Sequence, residues 1–218
     1  MSGSPRQRAA GATVLNPMTE ETPAATSAQA ERRERIIETT IALAAKGGYD
    51  AVQMRTVAEK ADVALGTLYR YFPSKIHLLV TGLAQQFEEA QERQSRRRIP
   101  GNTPYERVLF VLSQATKALQ KNPQLTEAMT RAFMFADTSA ANEVDRVGAL
   151  SEQFFTRAMT DGEPTSEERA IARVITDVWM SNLVAWVTRR ASATDVSNRL
   201  ELTVRLLLGE RTAEPPPE

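Results

Sequence analysis

Residues 54–75 read MRTVAEKADVALGTLYRYFPSK, and this stretch decides the fold. Met54, Val57, Ala58 and Ala61 recur at helical spacing, Asp62-Val63 breaks the period, and a second short helix runs on to Tyr71. Pro73 forbids its continuation, and Ser74 is a natural N-cap for the next helix. Two short helices across a tight turn have the spacing of a helix-turn-helix, whose second helix enters the major groove of DNA. Val57, Ala58, Val63 and Leu68 can close the core between them, with Ala58 small where the helices must approach.

The outer face of the second helix then offers Leu65, Gly66, Thr67, Tyr69, Arg70 and Tyr71. Arg pairs bidentately with guanine, Thr and Leu touch a thymine methyl, and Tyr hydroxyls donate to phosphate oxygens. Gly66, without a side chain, lets the helix start lie close to DNA. Lys75, in the first turn of the next helix, is placed to hold a phosphate together with the free backbone N–H groups there. Two tyrosines and an arginine on so short an exposed helix are poor choices without a partner.

Outward from this motif the pattern is helical on both sides. A helix from about Glu31 to Lys46 sets Ile36, Ile37, Thr40, Ile41 and Ala44 on one face and is expected to stop at Gly47-Gly48. A long helix from Lys75 to about Arg97 carries Leu78, Leu79, Gly82, Leu83, Phe87 and Ala90. Beyond Pro100-Gly101, helices are expected near Tyr105–Gln120, Pro123–Ala136, Ala140–Thr160, Ser166–Arg190 and Asp195–Leu208, separated by turn-forming residues. The expected fold is all-α, with about nine helices. Residues 1–30 and 211–218 read as disordered arms, 31–75 as the helix-turn-helix domain and 76–210 as a larger second domain.

Composition narrows the chemistry. The 218 residues include no cysteine and one histidine, His77, which excludes disulfides, thiolate metal sites and a cysteine nucleophile and leaves no His pair for a metal. His77 is expected at a surface or boundary position, with no catalytic role. The charge is balanced, 27 Lys/Arg against 27 Asp/Glu, so attraction to nucleic acid must be local. Residues 31–75 hold eight Lys/Arg and six Asp/Glu and are therefore +2; residues 1–30 are neutral and the remainder is −2. No unbroken apolar run long enough to span a membrane is evident, nor is a secretory leader, so no membrane partner and a cytoplasmic location are expected.

The segments Lys46–Tyr49, Met54–Ala58, Gly66–Phe72 and Ser74-Lys75 resemble the TetR family of bacterial transcriptional repressors. The resemblance implies that Arg55, Gly66, Thr67 and Tyr71 approach bases while Tyr69 and Lys75 hold phosphates. It also places Arg32 near the backbone of the DNA; with Thr56, Leu65 and Arg70 these complete the expected contact set. Asp62 stands where the family often has Gly in the turn, and Asp tolerates the left-handed conformation. The strings Asn122–Asp137 and Ala172–Gly209 resemble a narrower group of actinobacterial ketosteroid-catabolism regulators. This implies repression of steroid and cholesterol degradation genes, relieved by a steroid coenzyme A thioester; a long-chain acyl-CoA or another bulky apolar effector is the alternative.

In the second domain, aromatic and methionine residues cluster. Met129, Phe133, Phe154, Ala158, Trp179 and Leu183 are the expected lining of a ligand cavity. Arg131, Arg157, Arg173 and the Arg96–Arg98 run are candidate partners for coenzyme A phosphates. The last two helices are more apolar than closing one monomer requires, and the family resemblance implies a homodimer built on them. Val178, Trp186, Val196, Leu200, Val204 and Leu207 are its expected interface, matching a palindromic double-stranded operator. Two rival readings are an enzyme using the cavity, which lacks a nucleophile–base pair or metal set, and a helical module whose tyrosines bind protein. No metal or cofactor is expected, and the chain does not read as an enzyme.

Overall fold

The computed structural model describes residues 23–96 and 98–209. Among these it has nine α-helices and no strand: α1 Pro23–Ala51, α2 Met54–Lys60, α3 Leu65–Tyr71, α4 Lys75–Ser95, α5 Pro104–Gln120, α6 Pro123–Met134, α7 Ala141–Met159, α8 Ser166–Val187 and α9 Ala193–Leu208. A single 3-10 turn, Thr138–Ala140, precedes α7. Helix starts follow local chemistry. Thr103 with Glu106, Thr165 with Glu168 and Ser192 with Asp195 form reciprocal capping boxes, and Pro104 and Pro123 occupy first turns. Asp62 adopts φ 53°, the left-handed turn expected of it.

One expectation at the N-terminal side changes: α1 begins at Pro23, upstream of the expected Glu31, so residues 23–30 belong to the helix. Gly47 and Gly48 both leave helical geometry, as expected of a stop there, and the chain bends at Gly48, φ 68°, before a short helical continuation to Ala51. The rest of the expected N-terminal arm, the tail 211–218 and Arg97 lie outside the described residues.

Two apolar cores organise the chain. The first joins Ile36 and Ile37 of α1, Val57, Leu68 and Phe72 around the helix-turn-helix, and Leu78 and Leu79 of α4 to Ala128, Met129 and Ala132 of α6. The second gathers Val108 and Leu112 of α5, Phe155 of α7, Ile175 of α8 and Val196, Leu200 and Val204 of α9. α4 runs along both. At Gly82 a Cβ would stand in ordinary contact, 3.4 Å from Ile41 and 3.6 Å from Met129, at the point where α1, α4 and α6 meet.

The apolar spacing of α9 therefore serves its own chain. Val196 and Val204 are fully buried and Leu200 is 3% exposed, which overturns their assignment to a dimer interface. Val178, Trp186 and Leu207 are half-buried against the same core. The large apolar side chains that these helices leave exposed are Val174 at 45%, Leu202 at 44% and Leu206 at 71%. α8 is also apolar enough by length and composition to cross a membrane, contrary to the sequence reading. Its Ala172, Ile175, Trp179 and Leu183 face is core.

His77 is buried rather than a surface residue. Its Nδ1 lies 2.9 Å from Ser74 Oγ and its Nε2 lies 2.8 Å from the Ser139 carbonyl, joining the start of α4 to the turn before α7.

Candidate nucleic-acid interface and cavity

The helix-turn-helix is set by Leu68, fully buried on α3, and by Val57 and Ala58, buried on α2. Their burial turns the opposite faces outward. Arg55, Gly66, Tyr69 and Arg70 are exposed, while Arg32, Thr56, Leu65 and Thr67 are partly so. No heavy atom lies within 4 Å of where a Gly66 Cβ would stand, so only an approaching partner could require its smallness. Arg70 rests with its guanidinium carbon 5.9 Å from the Tyr71 ring centre.

Two expected contact residues stand differently. The Tyr71 hydroxyl is buried without a hydrogen-bond partner and its ring packs on the first core, so it does not share the outer face with Arg70. Lys75 turns back into the protein: Nζ donates to the Tyr49 carbonyl at 3.1 Å and sits 3.7 Å from the Tyr49 ring centre. Burial lowers its pKa, with Asp50 opposing the shift, Arg131 adding to it and Glu127 opposing it again. Its cation caps the bend of α1 rather than standing free for a phosphate.

That bend is also where α6 meets the reader domain. The Tyr49 amide donates to Glu127 Oε2 at 3.2 Å. Arg131 stacks 4.4 Å from the Tyr49 ring centre and lies 3.8 Å from Asp50 and 3.7 Å from Glu127. With its amide oriented to suit its neighbours, Gln124 donates to the carbonyls of Lys46 and Ala45. Arg131, a candidate for coenzyme A phosphates, is thus committed to this junction.

The opposite face of α6 lines a cavity of about 780 Å³. Met129, Phe133, Phe154, Trp179 and Leu183 all border it, as the sequence suggested, together with Phe87 and Ala90 of α4, Leu119 of α5 and Gly148 of α7, which sequence reasoning missed. Phe87 meets Phe154 and Trp179 edge to face, with ring centres 6.2 and 6.1 Å apart, and stiffens one wall. Phe87 follows the helical apolar spacing of α4, which marks it as inward-facing without distinguishing cavity from core. Ala158 is fully buried in the second core and does not line the cavity. Of the cations proposed for phosphates, Arg173 stands at the cavity and pairs with Glu152 at 2.9 Å. Arg93 and Arg190 join it there. Arg157 and Arg98 instead border a separate polar pocket between the α4–α5 and α7–α8 connections.

A short reader with an outward arginine face, clamped to a helical domain with a large apolar cavity, is the arrangement of a DNA-binding transcriptional regulator. Residues 36–80 match the sequence pattern of "Bacterial regulatory proteins, tetR family" and residues 101–207 that of "Tetracyclin repressor-like, C-terminal domain". The chain belongs to the TetR family of transcriptional regulators, which are not enzymes. It is similar to the HTH-type transcriptional repressor KstR of Rhodococcus jostii, 60% identical over 99% of this chain and 100% of that protein. The KstR repressor of Mycolicibacterium smegmatis is 63% identical over 84% of this chain and 89% of its own length. Among solved structures, a TetR transcriptional regulator from a Rhodococcus species shares 30% identity at a TM-score of 0.77, covering 83% of this chain and 97% of that one. The FadR repressor of Thermus thermophilus, solved with lauroyl-CoA, shares the fold at 20% identity and a TM-score of 0.62, covering 85% and 98%.

Proposed function

We propose that the protein is a cytoplasmic, homodimeric repressor of steroid and cholesterol degradation genes, released from a palindromic operator by a steroid coenzyme A thioester. The observation that carries this reading is the cavity: about 780 Å³, walled by Phe87, Met129, Phe133, Phe154 and Trp179. Such a volume accommodates a rigid polycyclic skeleton, and methionine and aromatic walls adapt to its broad apolar faces. The resemblance of Asn122–Asp137 and Ala172–Gly209 to ketosteroid-catabolism regulators, and the near full-length similarity to KstR repressors, support the same assignment. Arg93, Arg173 and Arg190 supply cations where a thioester's polar end would leave the cavity.

On the DNA side Arg55, Thr56, Leu65, Gly66, Thr67, Tyr69 and Arg70 read and grip the operator, with Arg32 on a phosphate. Arg70 reads a base edge. The dimer forms on the outward faces of α8 and α9, through Val174, Leu202 and Leu206, with Val178 and Trp186 behind them. Ligand acts by favouring a conformation in which the two α3 helices no longer sit about 34–36 Å apart, one turn of DNA.

The test is fluorescence anisotropy on an operator fragment. The protein is titrated separately with a cholestenoyl coenzyme A thioester, stearoyl-CoA and lauroyl-CoA, the last being the compound bound to the FadR repressor of the same fold. Release at the lowest concentration by the steroid thioester is expected. Release by the linear thioesters alone would overturn the steroid assignment and leave the repressor standing.

A further inference from the structure

The ends of α4 and α7 and the start of α5 border a second, polar pocket of about 300 Å³. Arg98 reaches it from beyond α4, Arg107 from α5 and Arg157 from the last turn of α7, with Gln94, Thr160 and Asp161 between them. None of these six residues lines the apolar cavity. The turn that seats the α4–α5 connection against α5 requires glycine. Gly101 has φ 128°, and a Cβ there would stand 2.8 Å from Glu106 Cβ and 2.9 Å from the Arg107 amide nitrogen.

Two helix C-termini end here and bring partial negative charge with them. Arg107 answers it: Nε donates to the Ala158 carbonyl at 2.8 Å and Nη2 to the Met159 carbonyl at 2.6 Å, pinning the last turn of α7 to α5. Arg98 and Arg157 are not used in this way. Both are exposed, and neither is paired with a carboxylate among the described residues. Gln94 supplies an independent sign. Both polar atoms of its amide are buried without a hydrogen-bond partner, which is costly unless something in the pocket supplies the bonds.

We propose that this pocket binds a small sugar phosphate or phosphorylated polyol. The planar guanidiniums of Arg98 and Arg157 suit phosphate oxygens. Asp161 would repel a bare anion, but its carboxylate accepts hydrogen bonds from hydroxyls, and the Gln94 amide and the Thr160 hydroxyl can both donate to and accept from them. A guest with a phosphate at one end and hydroxyls at the other uses both signs of charge in the lining. The volume is that of roughly ten water molecules in the liquid, room for a pentose phosphate. Bound there, the ligand ties the end of α4 to the end of α7, two helices that wall the apolar cavity through Phe87 and Phe154. The proposal stands whatever fills that cavity.

The test is calorimetric titration of the full chain with ribose 5-phosphate, ribose and inorganic phosphate, with fold checked by circular dichroism. One ribose 5-phosphate per chain is expected, held more tightly than either of its parts. Arg98→Gln and Arg157→Gln should each weaken it at least about tenfold, the value of one charge-assisted hydrogen bond. Lys117→Gln removes an exposed cation farther along α5 and should change affinity less than about twofold. Asp161→Asn should weaken ribose 5-phosphate without weakening inorganic phosphate. No binding of ribose 5-phosphate at about 10 mM, or an equal loss in Lys117→Gln, would overturn the site. Inorganic phosphate binding as tightly as ribose 5-phosphate would overturn the ligand class. Complete exclusion of ribose 5-phosphate by a saturating cholestenoyl coenzyme A thioester would give these arginines to that compound's own phosphates and overturn the separate site.

Discussion

The backbone amide of Tyr49 donates to Glu127 Oε2 at 3.2 Å, joining the bend of α1 to the outer face of α6. Gly48 lies under the same carboxylate: at φ 68°, a Cβ there would stand 3.2 Å from Oε2. Because the other face of α6 carries Met129 and Phe133 into the cavity, a shift of this one helix reaches both the ligand and the reader.

Glu127→Ala should therefore weaken communication more than folding. Operator affinity without ligand should change less than about threefold. The loss of affinity caused by saturating steroid thioester should shrink about tenfold, within the roughly 1–3 kcal/mol typical of coupling between sites. Anisotropy titrations with and without thioester measure both; an undiminished response would remove the Glu127–Tyr49 contact from the route.

Arg70→Ala should weaken specific operator binding by about 1–3 kcal/mol, the value of one bidentate base contact, and relax sequence preference at a single position per half-site. Undiminished discrimination between the native operator and operators altered there, after the substitution, would show that Arg70 reads nothing.

Salt dependence tests which cations reach phosphate. With Arg32 and two further cations per subunit on phosphates, the slope of log K against log salt should be about −5, at about −0.9 per phosphate. Lys75→Met should leave that slope unchanged while lowering thermal stability, since its Nζ caps the Tyr49 carbonyl. A slope falling by about two units in Lys75→Met would place its cation on DNA after all.

Gly148 borders the cavity with no atom within 4 Å of its Cβ position. Gly148→Leu should fill part of the space, abolish release by the steroid thioester and leave operator affinity within about twofold. Replacing a helical glycine also gains roughly 0.5–1 kcal/mol of helix propensity, so the melting temperature should not fall. Retained thioester response would show that the ligand does not occupy this wall.

Acid should loosen the start of α9. Hydrogen bonds from the Ser192 side chain and backbone hold the Asp195 carboxyl below its ordinary value of 3.8, as Ser139 does for Asp137. A carboxylate depressed in the folded state contributes its stability above the unfolded pKa and loses it as pH falls through the folded value. Ser192→Ala should therefore lower the melting temperature near neutrality, by removing the cap of α9, and make the stability profile flatter below pH about 4. An unchanged acid limb in that variant would exclude the Asp195 contribution.

The helices, the Ser74 cap and the helix-turn-helix were legible in sequence because each depends on neighbours within a few residues. What could not be read was which apolar stripe faces inward. Val196, Leu200 and Val204 make the stronger period on α9 and go to their own core, leaving Leu202 and Leu206 outside. Lys75 failed for a related reason: its helix position is local, but the Tyr49 ring that captures it is 26 residues away in the chain. Five of the six residues expected together do border one cavity, since bulky side chains near one another in an all-α domain have few places to converge. Ala158 did not, because a small residue carries little information about whether space lies beside it.

The two faces of α6 have a further consequence for the promoter. If ligand lowers the affinity of the protein for its operator by some factor, the operator must lower the affinity for ligand by that same factor. Repressors already seated on DNA will then be the last to respond, and free copies will fill first. The concentration of thioester at which transcription begins thus depends on how many operators and how many copies of the protein share one cell, as well as on the cavity that Met129 and Phe133 enclose.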